Sequence, residues 1–559
     1  MTQLTGARRV AAACAMTVVV MISGGSTASA ATWHVQAGAA AGGDGSAAAP
    51  LSSLAAVEAR SAPGDTIVVA PVPRGVLDGG IVLKAGQTLV GGGPSVVGDV
   101  APAALPVITN RAGDGVRLAD DTTVSNLVIR RPRRGGIYGL DSVGVQVLGN
   151  DVSGHNTSCA RGFKVQPFMI PTGIPYVGLG RPIAPQNGWA GIMVDGERAA
   201  GSIVISGNRV HDATCGDGID IRATGTSDLT ARVDDNHVAH LKQGWMFTSV
   251  LAIGMQARHT ARLRVDQSGN RQEWIGSDLA DCEGQFINTS QSGVVIETVT
   301  RNTFRRGIGG FSCNGFEAVI SNGSGTIDLT LTDSTFEDNV GDMFEAANLG
   351  SGSTMTWSME RVVARKTRMR LPNSPLTSDP GVNPIPFNVG DCMLVGQNGG
   401  SNATTFRMRD SVLEGCNNGI SVLSGFAFGN GVGAPRSLVL DIADSRIAGH
   451  AKYGIQIGNS TPLGVLDLRM SGTEVTGNRG FGVAVDQLVT GRTGSAWLDL
   501  RGNCLHGNRK ADLEVTGFAV DAGGGWWGGG APRVVTRRGG RADVGGALTA
   551  RPACGPGSS

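Results

Sequence analysis

The chain is short of aromatic and lysine side chains: three Tyr and six Lys in 559 residues, with aromatics at 5%. With Gly at 87, the remainder is an Ala/Gly/Val/Arg-rich composition of the kind a high-GC bacterial genome encodes. Charge of one sign is missing too. Lys and Arg total 47 against 46 Asp and Glu, a formal charge of +1, and no basic patch is interleaved with aromatics. That excludes the balance typical of a nucleic-acid binder. No apolar run approaches the roughly 20 residues a transmembrane helix needs, so no membrane insertion is expected. Cys-x-x-Cys spacing is absent, which removes the common zinc pattern, and helical periodicity is missing almost throughout.

Residues 1–30 read as a secretory signal: Arg8 and Arg9, an apolar run from Ala11 to Ile22, then small residues ending Ala28-Ser29-Ala30. A secreted, extracellular protein is expected. Eight cysteines follow the leader: Cys159, Cys215, Cys282, Cys313, Cys392, Cys416, Cys504 and Cys554. An even number in an exported chain favours disulfides.

From about residue 120 one pattern recurs: two alternating apolar residues, a polar Asn, Asp, Ser or Thr, any residue, then an apolar one. It begins as Val124-Ser125-Asn126-Leu127-Val128 and ends in turn at Val152, Val210, Val238, Phe304, Phe336, Val363, Leu413, Ile447, Val475 and Leu505. A period of roughly 24 to 34 residues marks a repeat architecture. Leu440-Asp441-Ile442 and Leu498-Asp499-Leu500 alternate as strands do. Single strands separated by Gly, Asn and Asp turns fit coils stacked about 4.8 Å apart around one apolar core. The ladder Asn and Ser are expected to be structural, Asn for its tolerance of left-handed backbone and for amide stacking along the axis.

A second strand signature follows: Gly191-Ile192-Met193-Val194, Gly218-Ile219-Asp220-Ile221, Gly419-Ile420-Ser421-Val422, Gly454-Ile455-Gln456-Ile457 and Gly482-Val483-Ala484-Val485. Alternation predicts that Met193, Asp220, Ser421, Gln456 and Ala484 point outward.

Three regions carry a family resemblance. Thr32-Trp33-His34-Val35, Gly43-Asp44-Gly45-Ser46, Pro50-Leu51 and Gly64-Asp65-Thr66-Ile67-Val68-Val69 resemble the N-terminal cap of pectate-lyase-like proteins. The middle resembles their parallel β-helix repeats, and Gly525-Trp526-Trp527-Gly528 resembles their closing segment, with Gly525 where Asn is usual. The resemblance implies an all-β fold: a right-handed parallel β-helix solenoid with a short N-terminal capping helix. The expected divisions are the signal at 1–30, cap and first coils at 31–112, repeats at 113–515 and a closing segment at 516–559. The paired indoles of that segment are expected to plug the open end of the core. For activity the resemblance is loose, since the fold hosts lyases, hydrolases, epimerases and proteins without common chemistry. The polygalacturonase Asn-Thr-Asp and Arg-Ile-Lys and the epimerase Asp-Pro-His are absent.

Aligning the Gly-apolar strands sets Met193 beside Asp220 and Asp195 beside Arg222. Asp195, Asp220 and Arg222 are the catalytic candidates, with His211 as a proton carrier; Asp217 and Asp220 are candidate ligands for calcium. As outer-face residues, Asp220→Asn and Arg222→Ala are expected to leave stability nearly unchanged. Insertions at 153–189, 273–283 and 364–390 should emerge from one corner and form a groove wall. Arg161, Lys164, Tyr176, Trp189 and Trp274 are the candidate substrate contacts there, alongside Phe163, Phe168, Asp278, Asp281 and Glu283. The basic run Arg130-Arg131-Pro132-Arg133-Arg134 reads first as a solvated turn. The leading expectation is a polysaccharide partner, bound and cleaved by a lyase or glycoside hydrolase. The alternative is a non-catalytic extracellular glycan-binding or structural β-helix. Equivalent corners of adjacent coils lie within disulfide reach, which pairs Cys159–Cys215, Cys282–Cys313 and Cys392–Cys416, and leaves Cys504–Cys554 by elimination.

Overall fold

The computed structural model describes residues 29–92, 105–164, 168–169, 182–183, 186–242, 248–276, 281–308, 313–366, 390–397, 400–424, 436–459, 464–486 and 495–557. Residues 1–28, most of the segment expected to be a secretory signal, and Tyr176 lie outside these residues.

The chain winds through three parallel sheets, one strand in each per coil. Ile192–Gly196, Ala200–Ser206 and Arg209–His211 make one coil, and Ile219–Ala223, Asp228–Asp234 and His237–Ala239 the next. Each strand pairs in parallel with its counterpart one coil on. The first sheet contains the Gly-apolar strands, the second has 17 strands and the third, built on the ladder repeat, has 14. This is a right-handed parallel β-helix, the hand that parallel crossovers take.

Alternation explains the layering. In Asp228–Asp234, Leu229, Ala231 and Val233 are buried while Asp228, Thr230 and Arg232 are exposed, and the same phase repeats down the second sheet. Inward side chains stack into columns of one continuous core. Its middle is aromatic, with Phe336 and Phe344 ring centroids 4.7 Å apart and Phe316 and Trp357 5.3 Å apart. Outward side chains of the third sheet pair across coils. Glu273, Arg305, Glu337, Arg365 and Glu414 occupy one column and alternate in sign, with Arg305–Glu337 at 2.8 Å and Arg365–Glu414 at 3.0 Å.

The ladder polar residues are structural, but the left-handed backbone sits one residue earlier. Gly207, Asp235, Gly269, Arg301, Asp333, Asp410 and Asp444 have positive φ, each just before the ladder Asn or Ser; among the ladder asparagines Asn126 alone has it, at 55°. The amide has a different task. Asn208 Oδ1 accepts from Asn150 N at 2.9 Å, Asn236 Oδ1 from Asn208 N at 3.0 Å, and Asn270 Oδ1 from Asn236 N at 3.0 Å. These buried side chains thereby satisfy turn N–H groups that no strand reaches.

Leu54–Arg60 is helical, with Ser53 Oγ accepting from Ala56 N at 3.2 Å, and it buries Leu54 and Val57 in the core. At the other end, of the paired indoles Trp527 joins the core, with Phe518, Val520 and Ala522. Trp526 is half-buried beside His506, centroids 4.7 Å apart, so one indole rather than two enters the core, and the strands Val534–Arg537 and Arg541–Asp543 stack beyond it. The two neighbours leave the strand on opposite faces, as alternation requires. The cysteines form Cys159–Cys215, Cys282–Cys313, Cys392–Cys416 and Cys504–Cys554, with Cα separations of 5.1, 4.4, 5.5 and 6.2 Å. The last one fastens a tail that runs back over earlier coils: Arg551 reaches Glu474 at 2.6 Å and Gly555 N donates to Gly472 O at 2.8 Å. Among the described residues, no helix is long and apolar enough to cross a membrane.

Candidate functional site

The outer face of the first sheet gathers the side chains capable of chemistry. Its register places Met193 beside Asp220 and Asp195 beside Arg222. One outward column runs Arg117, Tyr138, Met193, Asp220, Gly254, Phe286, Glu317 and Glu345.

These outward positions are not solvated, contrary to the outer-face expectation. Met193, Asp220, Ser421 and Ala484 are buried, and Gln456 is half-buried. Tyr138, Ala190, Met193, Leu251, Phe286, Val319 and Ala347 form a second apolar cluster outside the main core, with Trp189 packed on it. Asp220 is fully buried, with Oδ2 accepting from Asn187 Nδ2 at 3.2 Å, and Asp217 is fully buried, with Oδ1 accepting from Leu251 N at 2.9 Å. Burial pushes the Asp220 carboxyl up to about 8 and the Asp217 carboxyl well above its usual range, the latter helped by Asp220. A substitution here therefore alters a buried polar group. Asp217 Oδ2 and Asp220 Oδ1 make no hydrogen bond among the described residues. Two such oxygens fall short of the six to eight that calcium takes. Among the described residues, the one His/Cys/Asp/Glu trio with donor atoms within 4.8 Å of one another is Cys392, Cys416 and His450, and two of these form a disulfide.

Arg222 bonds Asp195, and burial raises Asp195 despite that guanidinium. Arg258 is close enough to interact with both, and its own burial lowers it to about 10. Upstream, Arg134 lies over Trp189 at 4.3 Å and over Tyr138 at 5.4 Å, the two rings meeting edge to face at 5.2 Å. Asp114 holds Arg134 at Nε, 2.8 Å, and at Nη2, 2.5 Å. Arg134, from the run read as a solvated turn, is thus locked over an aromatic pair.

His211 sits on the third sheet, away from the column of Asp220. Its Nδ1 is 2.7 Å from Asp212 Oδ2 and its Nε2 3.1 Å from Asp151 Oδ1; burial pulls its pKa down, but the two carboxylates outweigh this and hold it above normal. Trp274 occupies the left-handed corner of its coil, φ 58°, with His240 stacked 6.2 Å away and Arg306 4.7 Å over the ring. Its indole is flanked by neighbouring coils, so it is not a bare platform for a sugar. Arg161 is exposed in the strand Arg161–Lys164, which pairs antiparallel with Gln186–Gly188. The side chains of Phe163, Lys164, Phe168 and Asp281, and all of Asp278, lie outside the described residues.

A denser group sits three coils beyond Asp220, about 14 Å along the axis. Glu317 and Glu345 are half-buried neighbours in the outward column, and Asn314 Nδ2 donates to both, at 3.1 and 2.9 Å. Glu283 is buried and hydrogen-bonded to Glu317, whose carboxyl burial raises. Behind them, Asp342 Oδ1 accepts from Gly390 N at 2.8 Å and Asp391 N at 2.6 Å, and Asn314 Oδ1 from Asp342 N at 2.9 Å. Lys366 Nζ donates to Gly341 O at 2.6 Å and is electrostatically coupled to Asp342 and Asp391. Burial pushes Asp342 up to about 7 and Lys366 down to about 8, and raises Asp391 well above normal. Of this group the sequence reading named only Glu283. Gly315-Phe316-Glu317-Ala318 carries the same Gly-apolar signature as Gly218-Ile219-Asp220-Ile221, so Glu317 was within reach of that alignment.

No family model and no curated protein matches the sequence. Among solved structures, the chain is similar to pectate lyase Pel9A, at 12% identity over 74% of this chain and 76% of that one, TM-score 0.33. It is also similar to a rhamnogalacturonan lyase, at 10% over 74% and 81%, TM-score 0.30. A third is a family 28 exopolygalacturonase of Yersinia enterocolitica, at 11% over 83% and 78%, TM-score 0.26. The solenoid itself rests on the strand pairing described above.

Proposed function

We propose that the chain binds a polysaccharide along the outer face of the first sheet and hydrolyses it at the level of Glu317 and Glu345. The observation that carries this reading is the pair of half-buried carboxyls on adjacent coils, bridged by Asn314 and backed by Asp342, Asp391 and Lys366. Glycosidic bonds are cleaved by two carboxyls in different protonation states. Burial raises the Glu317 carboxyl above its ordinary range, the direction that suits a group protonating a leaving-group oxygen, while Glu345 activates water or attacks directly. The buried Lys366–Asp342–Asp391 group positions this pair and holds the local proton inventory near neutrality. Upstream, the half-buried Trp189 and Arg134 supply a ring edge and a guanidinium for sugars bound away from the cleaved bond, with Asp195 and Arg222 between. Four disulfides suit an oxidising compartment, and export through residues 1–30 belongs to the same proposal.

The test is a panel of neutral and acidic polysaccharides incubated with purified protein, with reducing-sugar release and ultraviolet absorbance of unsaturated products read in parallel. Reducing ends without unsaturation, lost in Glu317→Gln, support hydrolysis. Unsaturated products would replace it with elimination, and binding without release of either product would leave a non-catalytic glycan binder.

A further inference from the structure

Each coil turns from the third sheet into the first at one corner, and on three successive coils near the N-terminal end that corner is basic. Arg111 follows the strand Val107–Thr109, Arg130 ends Val128–Arg130 with Arg131 and Arg133 just after it, and Arg161 lies beyond Asp151–Ser153. The three strands are neighbours in the third sheet, so these arginines sit on coils spanning about 10 Å of axis. All five are exposed.

The corner differs from the rest of the surface in lacking counterions. Many exposed arginines elsewhere meet a carboxylate on their own or an adjacent coil, as Arg305 meets Glu337 at 2.8 Å, Arg361 Asp333 at 2.6 Å and Arg409 Asp441 at 2.9 Å. Here Arg111 has Asp78 at 3.9 Å, while Arg130, Arg131, Arg133 and Arg161 form no ion pair among the described residues. The acids on the following coils are engaged: His211 lies 2.7 Å from Asp212 and 3.1 Å from Asp151, which also meets Arg209 at 3.6 Å. Neither residues 122–140 nor 153–194 contain an Asp or Glu, so the insertion at this corner brings no countercharge. Cross-coil bonds fix the backbone beneath: Arg131 N donates to Ser153 O at 2.8 Å, Arg133 N to Asn110 O at 2.7 Å and Ser158 N to Arg133 O at 3.0 Å, with Cys159–Cys215 fastening the last coil. A fixed backbone keeps like charges close, at a cost in self-repulsion.

We propose that this corner retains an anionic polysaccharide outside the groove of the first sheet. Each exposed contact is weak and screened by salt, so a surface spread over three coils holds a partner that presents several anionic groups at once. Guanidinium forks match such groups in geometry as well as charge. A nucleic acid fits less well, because its sites interleave exposed rings with the cations. The rings nearest this corner, Tyr138 and Trp189, are buried and half-buried beside Arg134. Retention needs neither Glu317 nor Glu345 and does not rest on the glycan-cleaving reading.

The experiment reads binding rather than turnover: the full protein is titrated with polygalacturonate and, separately, with a single-stranded oligodeoxynucleotide, across a salt series. The wild type should bind polygalacturonate, and the affinity should fall as salt screens the exposed charges. Arg131→Glu/Arg133→Glu should weaken binding about tenfold and melt no lower than the wild type, since the reversal relieves repulsion. Arg262→Glu/Arg407→Glu makes the same change of net charge on exposed second-sheet arginines and should bind as the wild type does. Arg161→Glu, on a separate segment, repeats the test should the first double variant not fold. Absence of polygalacturonate binding, equal losses in the two double variants, or tighter binding of the oligonucleotide would each overturn the proposal. Corner-dependent binding in a protein that releases no product from any glycan would uphold it while removing the cleavage reading.

Discussion

Asp220→Asn should stabilise the protein near neutral pH. Asp220 is fully buried beside Asp217, and its carboxyl is pushed from 3.8 up to about 8, chiefly by burial, with Arg222 and Asn187 opposing and Asp195 adding to the rise. Because the folded state binds this proton more tightly than the unfolded chain, the associated stability is fully present below about pH 4 and is lost as pH rises towards 8. At about 1.4 kcal/mol per pH unit, the loss reaches about 4 kcal/mol by pH 7. Asn has the same shape and keeps an acceptor for Asn187, while its amide group faces the Asp217 carboxyl. The variant should therefore gain up to about 4 kcal/mol over the wild type at pH 7, and the gap should close near pH 4. Urea unfolding midpoints collected from about pH 4 to 8, at constant m, measure this directly. An Asp220→Asn protein less stable than wild type by the same amount at both ends of that range would refute the reasoning. It would mean that the carboxylate is ionised and paired, as a bound calcium would make it.

Glu317→Gln and Glu345→Gln should each lower kcat on the responsive polysaccharide by about 10²- to 10⁴-fold with melting temperatures near wild type, read by reducing-sugar kinetics and calorimetry. Trp189→Ala should raise KM more than it lowers kcat, since the ring lies coils away from the carboxyl pair, measurable by reducing-sugar kinetics and oligosaccharide titration. Cys554→Ser should lower stability by up to about 4 kcal/mol, the chain-entropy value for the 50-residue loop it opens, detectable as a lower denaturation midpoint.

Period and alternation carried most of the fold. The Gly-apolar signature fixed the first-sheet register closely enough to place Asp195 beside Arg222, and coil geometry paired the cysteines as they stand in the structure. What alternation cannot report is whether an outward side chain meets water. Met193 and Asp220 do face away from the core, yet Tyr138, Leu251, Phe286 and Trp189, spread over more than 140 positions, meet above them. The carboxyl pair stayed hidden for a related reason: Lys366, Asp342 and Asn314 come from three different coils and share no local motif. The tail's return over Glu474 has no signature in a repeat that looks only one period ahead.

That return has a mechanical consequence. In a stacked solenoid each coil touches only its neighbours, so a load on the terminal segment normally peels one coil after another. Here Cys554 is bonded to Cys504 across a sequence separation of 50, so tension beyond Cys554 passes to the coil of Cys504 and bypasses the coils between. In a pulling experiment the oxidised protein would release about 170 Å less contour length than the reduced one, at full extension of those residues. The disulfide converts the free end of the spring into an interior attachment point.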